Sequence, residues 1–154
     1  MGKEIERKFL IKGNFSKSKK VYITQGYLKS ENNNVVRVRI SDKNAFITIK
    51  GKNKGIVRSE FEYKIPLEDA KEILTEFCEN RIIEKCRYTV LYENFTWEID
   101  EFLGENKGLI YAEIELKNEN QIFEKPNWVG KEITGDSKYY NSNLIKIPFN
   151  KWDI

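Results

Sequence analysis

Along most of this chain apolar and polar side chains alternate one by one. Segments 3–12, 19–30, 34–42 and 44–52 are rich in Val, Ile, Phe, Tyr and Thr in that alternation, which predicts half-buried strands. Turn-forming residues separate them. Glu31-Asn32-Asn33-Asn34 and Asp42-Lys43-Asn44 supply tight hairpins, and Gly51 to Gly55 brackets a basic loop. A strand resumes at 56–65, and after Pro66 the period changes. Leu67, Ala70, Ile73, Leu74, Phe77 and Cys78 recur at helical spacing, with Glu68 and Asp69 near the positive end of the helix dipole, so a helix is predicted over 67–80. Segments 82–92 and 95–103 read as a hairpin turning at Glu93-Asn94, and 109–118 as an eighth strand. The remainder predicts a short helix near 119–125 and a last helix starting at Gly135-Asp136-Ser137 and ending near Ile147. No repeat, low-complexity tract or linker interrupts residues 1–154, so one domain is predicted.

The strand pattern becomes informative when the residues on one face are read together. Side chains two apart on a strand share a face, about 6.6 Å apart. Here that face is repeatedly charged: Glu4, Glu6 and Lys8; Arg37 and Arg39; Lys50 and Lys52; Glu60, Glu62 and Lys64; Lys85 and Arg87; Glu98 and Asp100; Glu113 and Glu115. The opposite face carries apolar pairs such as Val36 and Val38, Ile47 and Ile49, and Trp97 and Ile99. A solvated sheet face would account for any single pair, each cross-strand ion pair contributing a few tenths of a kcal/mol. The set argues otherwise, because a solvated face gains most from mixing signs, whereas these strands segregate them. Crowded carboxylates are relieved by hard divalent cations and crowded guanidinium and ammonium groups by phosphate oxygens. A metal-bound polyphosphate satisfies both. The predicted fold class is therefore mainly β: a closed eight-stranded antiparallel barrel with a charged lumen and a few helices packed outside.

Composition narrows the chemistry. Charged residues make up 33% of the 154, yet 27 basic against 24 acidic side chains leave a net charge of only +3, with no electrostatic signature of nucleic acid or membrane as partner. No apolar run is long enough to span a bilayer and no signal-peptide core precedes the first strand, so a cytoplasmic protein is expected. Cys78 and Cys86 lack metal-ligand spacing and read as reduced thiols. The chain has no histidine, which excludes Ser-His and Cys-His nucleophiles and leaves carboxylates, amines, tyrosines and oxygen-ligated metals.

Glu4-x-Glu6-x-Lys8, followed in order by Gln25-Gly26-Tyr27-Leu28, Arg37-x-Arg39, Thr48-Ile49-Lys50, Glu60-x-Glu62, Lys85-x-Arg87, Glu98-x-Asp100, Glu113-x-Glu115 and a late Lys138, resembles the CYTH superfamily, also called triphosphate tunnel metalloenzymes. The resemblance implies an eight-stranded tunnel that holds a triphosphate beside one or two Mg²⁺ or Mn²⁺ ions. On it, Lys8, Arg37, Arg39, Lys50, Lys85, Arg87 and Lys138 are phosphate ligands. Glu4, Glu6 and Glu115 are ligands of the metal that orients the triphosphate. Glu60, Glu62, Asp100 and Glu113, with Glu98 beside them, support a second metal or the attacking water. Tyr27 falls where the family has a tyrosine that assists catalysis, and with Lys8 and Lys85 it forms the implied catalytic set.

Within that family the short chain most resembles compact bacterial members that hydrolyse inorganic tripolyphosphate to pyrophosphate and phosphate. A class IV adenylyl cyclase, a nucleoside or thiamine triphosphatase, and a non-catalytic polyphosphate- or nucleotide-binding module are the alternatives. The cyclases commonly carry a His-Phe element upstream of ExExK, which this histidine-free chain lacks. The expected partner is a small-molecule triphosphate, and a homodimer is left open.

Overall fold

The computed structural model describes residues 2–17 and 19–153. Nine strands form along it: β1 (Lys3–Ile11), β2 (Val21–Leu28), β3 (Val35–Ser41), β4 (Asn44–Lys50), β5 (Val57–Ile65), β6 (Ile82–Tyr92), β7 (Phe95–Phe102), β8 (Ile110–Glu115) and β9 (Val129–Glu132). Their order, β5-β4-β3-β2-β6-β7-β8-β1-β9, with a further β5–β1 pairing, closes β1 to β8 into an antiparallel barrel. β1 does the closing. One of its edges pairs with β8 over Glu6 to Leu10, while the other pairs with β5 over Lys3 to Ile5 and with β9 at Phe9 and Ile11. The hairpins turn where Asn and Asp accept a left-handed backbone: Asn32 and Asn33 between β2 and β3, Asp42 between β3 and β4, and Glu93 with Asn94 between β6 and β7, where positive φ at both central residues matches the twist of a two-residue turn.

The apolar faces point outward and are covered from two sides. Helix α1 (Leu67–Phe77) follows Pro66 and lies on Val38 and Ala45, with Ala70 at the contact. It approaches β2 so closely that a Cβ at Gly26 would stand 2.6 Å from Leu74 Cδ2, 2.7 Å from Cys78 Cβ and 2.9 Å from Ile82 Cδ1. Arg81 fastens the end of α1 to the same strand, donating from Nη2 to the Phe77 carbonyl and from Nε to the Tyr27 carbonyl. Across the barrel, Phe9, Trp97, Ile99 and Ile114 form a second core under Trp128 and Val129, with Phe123 packing edge-to-face on Trp97.

Three predicted elements differ. Residues 119–125 are not helical: the segment runs irregularly so that Phe123 reaches the Trp97 cluster. β9 was not anticipated, because four residues on a barrel edge are too short to show a period. The predicted last helix is broken into a 3₁₀ turn at Ser137–Tyr139 and a four-residue helix, α2 (Asn141–Leu144), since Tyr140 between them is extended (ψ 134°). α1 also ends at Phe77 rather than residue 80, with Asn80 left-handed beyond it.

This broken segment plugs the barrel. Tyr27, Ile83, Phe102 and Tyr111 lie at strand termini that share one end of the barrel, and there they pack against Tyr139 and Leu144. Tyr111 Oη donates to the Tyr139 carbonyl at 3.1 Å. The lumen is thus apolar at one end, and its charge is confined to the remainder.

Gly26→Val tests the seat of α1. The Cys78 Cβ is tied to the chain backbone and cannot swing aside, so the substitution is expected to lower the unfolding free energy by about 1–3 kcal/mol in urea denaturation. An unchanged midpoint would refute the close helix–strand contact.

Candidate active site

Strand register decides which lumenal side chains meet. Side by side across the strands stand Lys8 and Glu113, Glu6 and Glu115, Glu98 and Glu113, Arg87 and Asp100, Gln25 and Arg39, Tyr27 and Arg37, Arg37 and Thr48, Thr48 and Glu62, and Lys50 and Glu60. Apart from the fully buried Gln25, Thr48 and Asp100, these side chains border one cavity of about 330 Å³, lined by Glu4, Glu6, Lys8, Tyr27, Arg37, Arg39, Lys50, Glu60, Glu62, Lys85, Arg87, Glu98, Glu113 and Glu115.

The signs separate within it. Arg37 and Arg39 on β3 and Lys85 and Arg87 on β6 flank β2 and form a basic wall, to which Lys8 on β1 contributes from the other side. Burial, reinforced by Arg37 and Arg87, pulls the Arg39 guanidinium down to about 9. Burial likewise lowers Lys85 to about 7, with Asp100 opposing the shift and Arg87 and Arg39 adding to it. The Nε of Arg37, a residue only 6% exposed, has no hydrogen-bond partner among the described residues, although its Nη2 donates to Thr48 Oγ1 at 3.1 Å. A buried donor left unsatisfied in a basic wall is what an anionic ligand would complete.

The acidic wall is arranged as proton-sharing pairs. Burial drives Glu60 up to about 7, helped by its hydrogen bond to Glu4. That same bond and the Lys50 charge hold Glu4 at about 2 against its own burial. Burial and the neighbouring Glu113 raise Glu6 well above the usual carboxylate range, while Lys8 and the Glu6 hydrogen bond bring Glu113 to about 2 against burial. Carboxylates that come together by sharing a proton are a set of hard oxygen donors, the chemistry that suits a divalent cation. Among the described residues no three converge into a ready-made metal cage.

Three expected ligands sit differently. Lys138 is exposed, its ammonium 4.7 Å above the Trp152 ring and 5.3 Å above the Tyr139 ring, outside the cavity lining. Asp100 is fully buried with both oxygens occupied: Arg87 donates to it from Nε at 2.7 Å and Nη2 at 2.9 Å, and Lys85 Nζ lies 2.8 Å away. It anchors the basic wall from outside the cavity lining. Lys50 faces the cavity but bridges Glu4 at 2.9 Å and Glu60 at 3.3 Å, as counter-ion of the acidic wall. Lys52 and Lys64 project as exposed surface lysines.

The cavity also contains residues that strand pairing did not single out. Arg58 stands opposite Glu4 on β5, its Nε donating to the Gly51 carbonyl at 2.8 Å. An isolated arginine before Glu60-x-Glu62, it continues the same strand face, and extending that face by one more alternate position would have found it. Tyr140 and Asn141 come from the plug, and nothing local in their sequence marks them. Lys8 Nζ lies 4.9 Å from the Tyr111 ring of β8 and 5.3 Å from the Tyr140 ring, so the plug also helps to cradle Lys8.

A CYTH domain model matches residues 2–147. The chain belongs to the CYTH family. It is 51% identical over 154 residues to an inorganic triphosphatase of Acetivibrio thermocellus, covering 99% of both chains. It is 35% identical over 152 residues to an inorganic triphosphatase of Nitrosomonas europaea, covering 94% of this chain and 99% of that one. A crystal structure described as an inorganic triphosphatase, 31% identical, superposes with a TM-score of 0.65 over 92% of this chain and 96% of its own. The CYTH fold is therefore shared over nearly the whole length.

Proton sharing has a consequence for stability. Glu60 binds a proton in the folded state up to about pH 7 but only to about 4.5 when unfolded, so the folded chain holds more protons in that window and stability falls as pH rises through it. Glu6 adds to the same slope. Thermal unfolding of metal-free protein between pH 5 and 7 is expected to show Tm falling with pH, and Glu60→Gln to flatten the dependence. An identical slope in the variant would remove the shared proton from the account.

Proposed function

We propose that this CYTH chain hydrolyses inorganic tripolyphosphate to pyrophosphate and phosphate with Mg²⁺ or Mn²⁺ as cofactor. The observation that carries the reading is the cavity itself: a basic wall with an unsatisfied buried arginine donor facing carboxylates paired through protons. The two inorganic triphosphatases it resembles along their full lengths support it.

Lys8, Arg37, Arg39, Lys85 and Arg87 bind the non-bridging oxygens of the chain of phosphates, Arg37 through the Nε that otherwise lacks a partner. Glu4, Glu6, Glu60, Glu113 and Glu115 would hold one or two divalent ions. A bound ion supplies charge neutralisation and a more acidic coordinated water. Glu62 lies nearer the arginines, accepting from Thr48 Oγ1 at 2.9 Å with Arg37 at 3.5 Å, and orients that side chain. Water forms a new P–O bond at a terminal phosphorus and the adjacent phosphoanhydride bond breaks. The acidic wall accepts the water's proton, and the basic wall stabilises the charge that accumulates on departing pyrophosphate. Tyr27 Oη accepts from Gln25 Nε2 at 2.6 Å, which leaves its own hydrogen to donate to substrate. No protein nucleophile is required. Among the described residues no helix is long and apolar enough to cross a membrane. With Cys78 and Cys86 present as free thiols, we place the enzyme in the cytoplasm.

The test is a panel of tripolyphosphate, ATP and thiamine triphosphate with Mg²⁺ or Mn²⁺ and resolved products. Phosphate release from tripolyphosphate is expected to dominate. Arg37→Ala is expected to lower kcat about 10²–10³-fold, and Glu6→Gln to abolish metal-dependent turnover while the protein remains folded by circular dichroism. Full turnover in both variants would sink the assignment, and cyclic AMP with pyrophosphate from ATP would establish a cyclase instead.

A further inference from the structure

Asn141 joins the plug to the basic wall. Its Oδ1 accepts from Lys85 Nζ at 2.8 Å and from Gln25 Nε2 at 2.9 Å, and its Nδ2 donates to Tyr111 Oη at 2.7 Å. The neighbours dictate this orientation of the amide. Arg39 Nε can only donate, so the Gln25 atom it meets at 2.9 Å is Oε1, and Gln25 Nε2 is left to donate to Tyr27 Oη and to Asn141. The Lys85 ammonium also only donates. Both place Oδ1 toward β2 and β6 and Nδ2 toward Tyr111, whose hydroxyl passes its hydrogen to the Tyr139 carbonyl.

Lys85 is 1% exposed, and its ammonium has three hydrogens to place. Asp100 on β7 takes one at 2.8 Å and Asn141 on α2 takes another. Two acceptors held by separate elements fix the rotation of the ammonium and leave its third hydrogen for a ligand in the cavity that Lys85 lines. With Asp100 alone, that hydrogen would sweep a cone.

We propose that Asn141 is a positioning residue that orients the Lys85 ammonium, and through Gln25 the Tyr27 hydroxyl, toward the substrate before it arrives. The proposal rests on reading the lumen as the triphosphate site and identifies the plug as a working part of it. Rate then depends on an element outside the barrel wall, because a misdirected donor weakens the transition state more than it weakens initial binding.

Side-chain ammonium NMR of ¹⁵N-lysine protein without substrate, with Lys85→Arg to assign the signal, reads the contact directly. Asn141→Leu is expected to shift or broaden the Lys85 signal and to lower kcat on tripolyphosphate about 10–100-fold, with KM changed less than about threefold. Asn141→Asp keeps an acceptor facing Lys85 and is expected to restore the signal and most of kcat. Asn143→Leu removes another plug hydrogen bond, to the Ser137 carbonyl, and is expected to leave both readouts at wild type. An unmoved Lys85 signal, an unchanged kcat in Asn141→Leu, or an equal loss in Asn143→Leu overturns the proposal. If Asn141→Leu does not fold, loss of signal or rate in Asn141→Asp does so. Should wild type fail to turn over tripolyphosphate, the functional reading falls, while the NMR comparison still decides whether Asn141 holds Lys85.

Discussion

Like charges crowded inside a closed barrel must be compensated where they stand, since bulk water cannot reach them all, and this requirement organises the rest of the molecule. Asp100 receives three donors from Arg87 and Lys85 and neutralises much of the basic wall. Lys50 does the converse for Glu4 and Glu60. Shared protons relieve what remains of the acidic wall. What these devices leave is the Nε of Arg37 without a partner, Arg39 with only the neutral Gln25 amide as its hydrogen-bond partner, and a set of hard oxygen ligands on the other side. A triphosphate with its cation is complementary to that remainder, so catalytic electrostatics are preorganised at the expense of a less comfortable free protein.

That constraint explains the division of the lumen. If charge filled the barrel from end to end, every group would need a partner within it. Instead Tyr27, Ile83, Phe102 and Tyr111 meet the C-terminal segment at one end and form an apolar floor. Hydrophobic burial in the floor and under α1 and Trp128 supplies stability that the charged band does not. The unsatisfied Nε of Arg37 illustrates the cost, of order 1–3 kcal/mol for a buried donor without a partner. Asn141 sits at the boundary, where the amide of a plug residue satisfies donors that the barrel wall alone leaves open.

The barrel was legible because its strands repeat a period of two with unusually consistent polarity. Glu4-x-Glu6-x-Lys8, Arg37-x-Arg39 and Lys85-x-Arg87 each place charge on one face by strand geometry alone, and the structure turns every one of those faces inward. The helix after Pro66 was equally clear in kind, though it stops earlier than its apolar spacing suggests. Residues 119–125 misled because Phe123 serves a distant tryptophan, a tertiary demand that no local spacing records. Lys138 is placed among the ligands by the family resemblance alone, and the fold holds its ammonium over the Trp152 ring, away from the cavity lining.

The amino-acid pattern by itself determined the eight staves, the face that each but the second turns inward and the segregation of opposite charges, since all three follow from nearest-neighbour geometry along a strand. Tertiary structure decided which charges meet. Only register across non-sequential strands could set Glu4 against Arg58 and Lys8 against Glu113, and only the packed barrel surrounds Asp100 with the donors of both Arg87 and Lys85. Only the return of the C-terminus onto the barrel could bring Asn141 to Lys85, 56 residues away along the chain. Hydrogen bonds of that range depend on how the chain closes in space, and a linear pattern carries no record of closure.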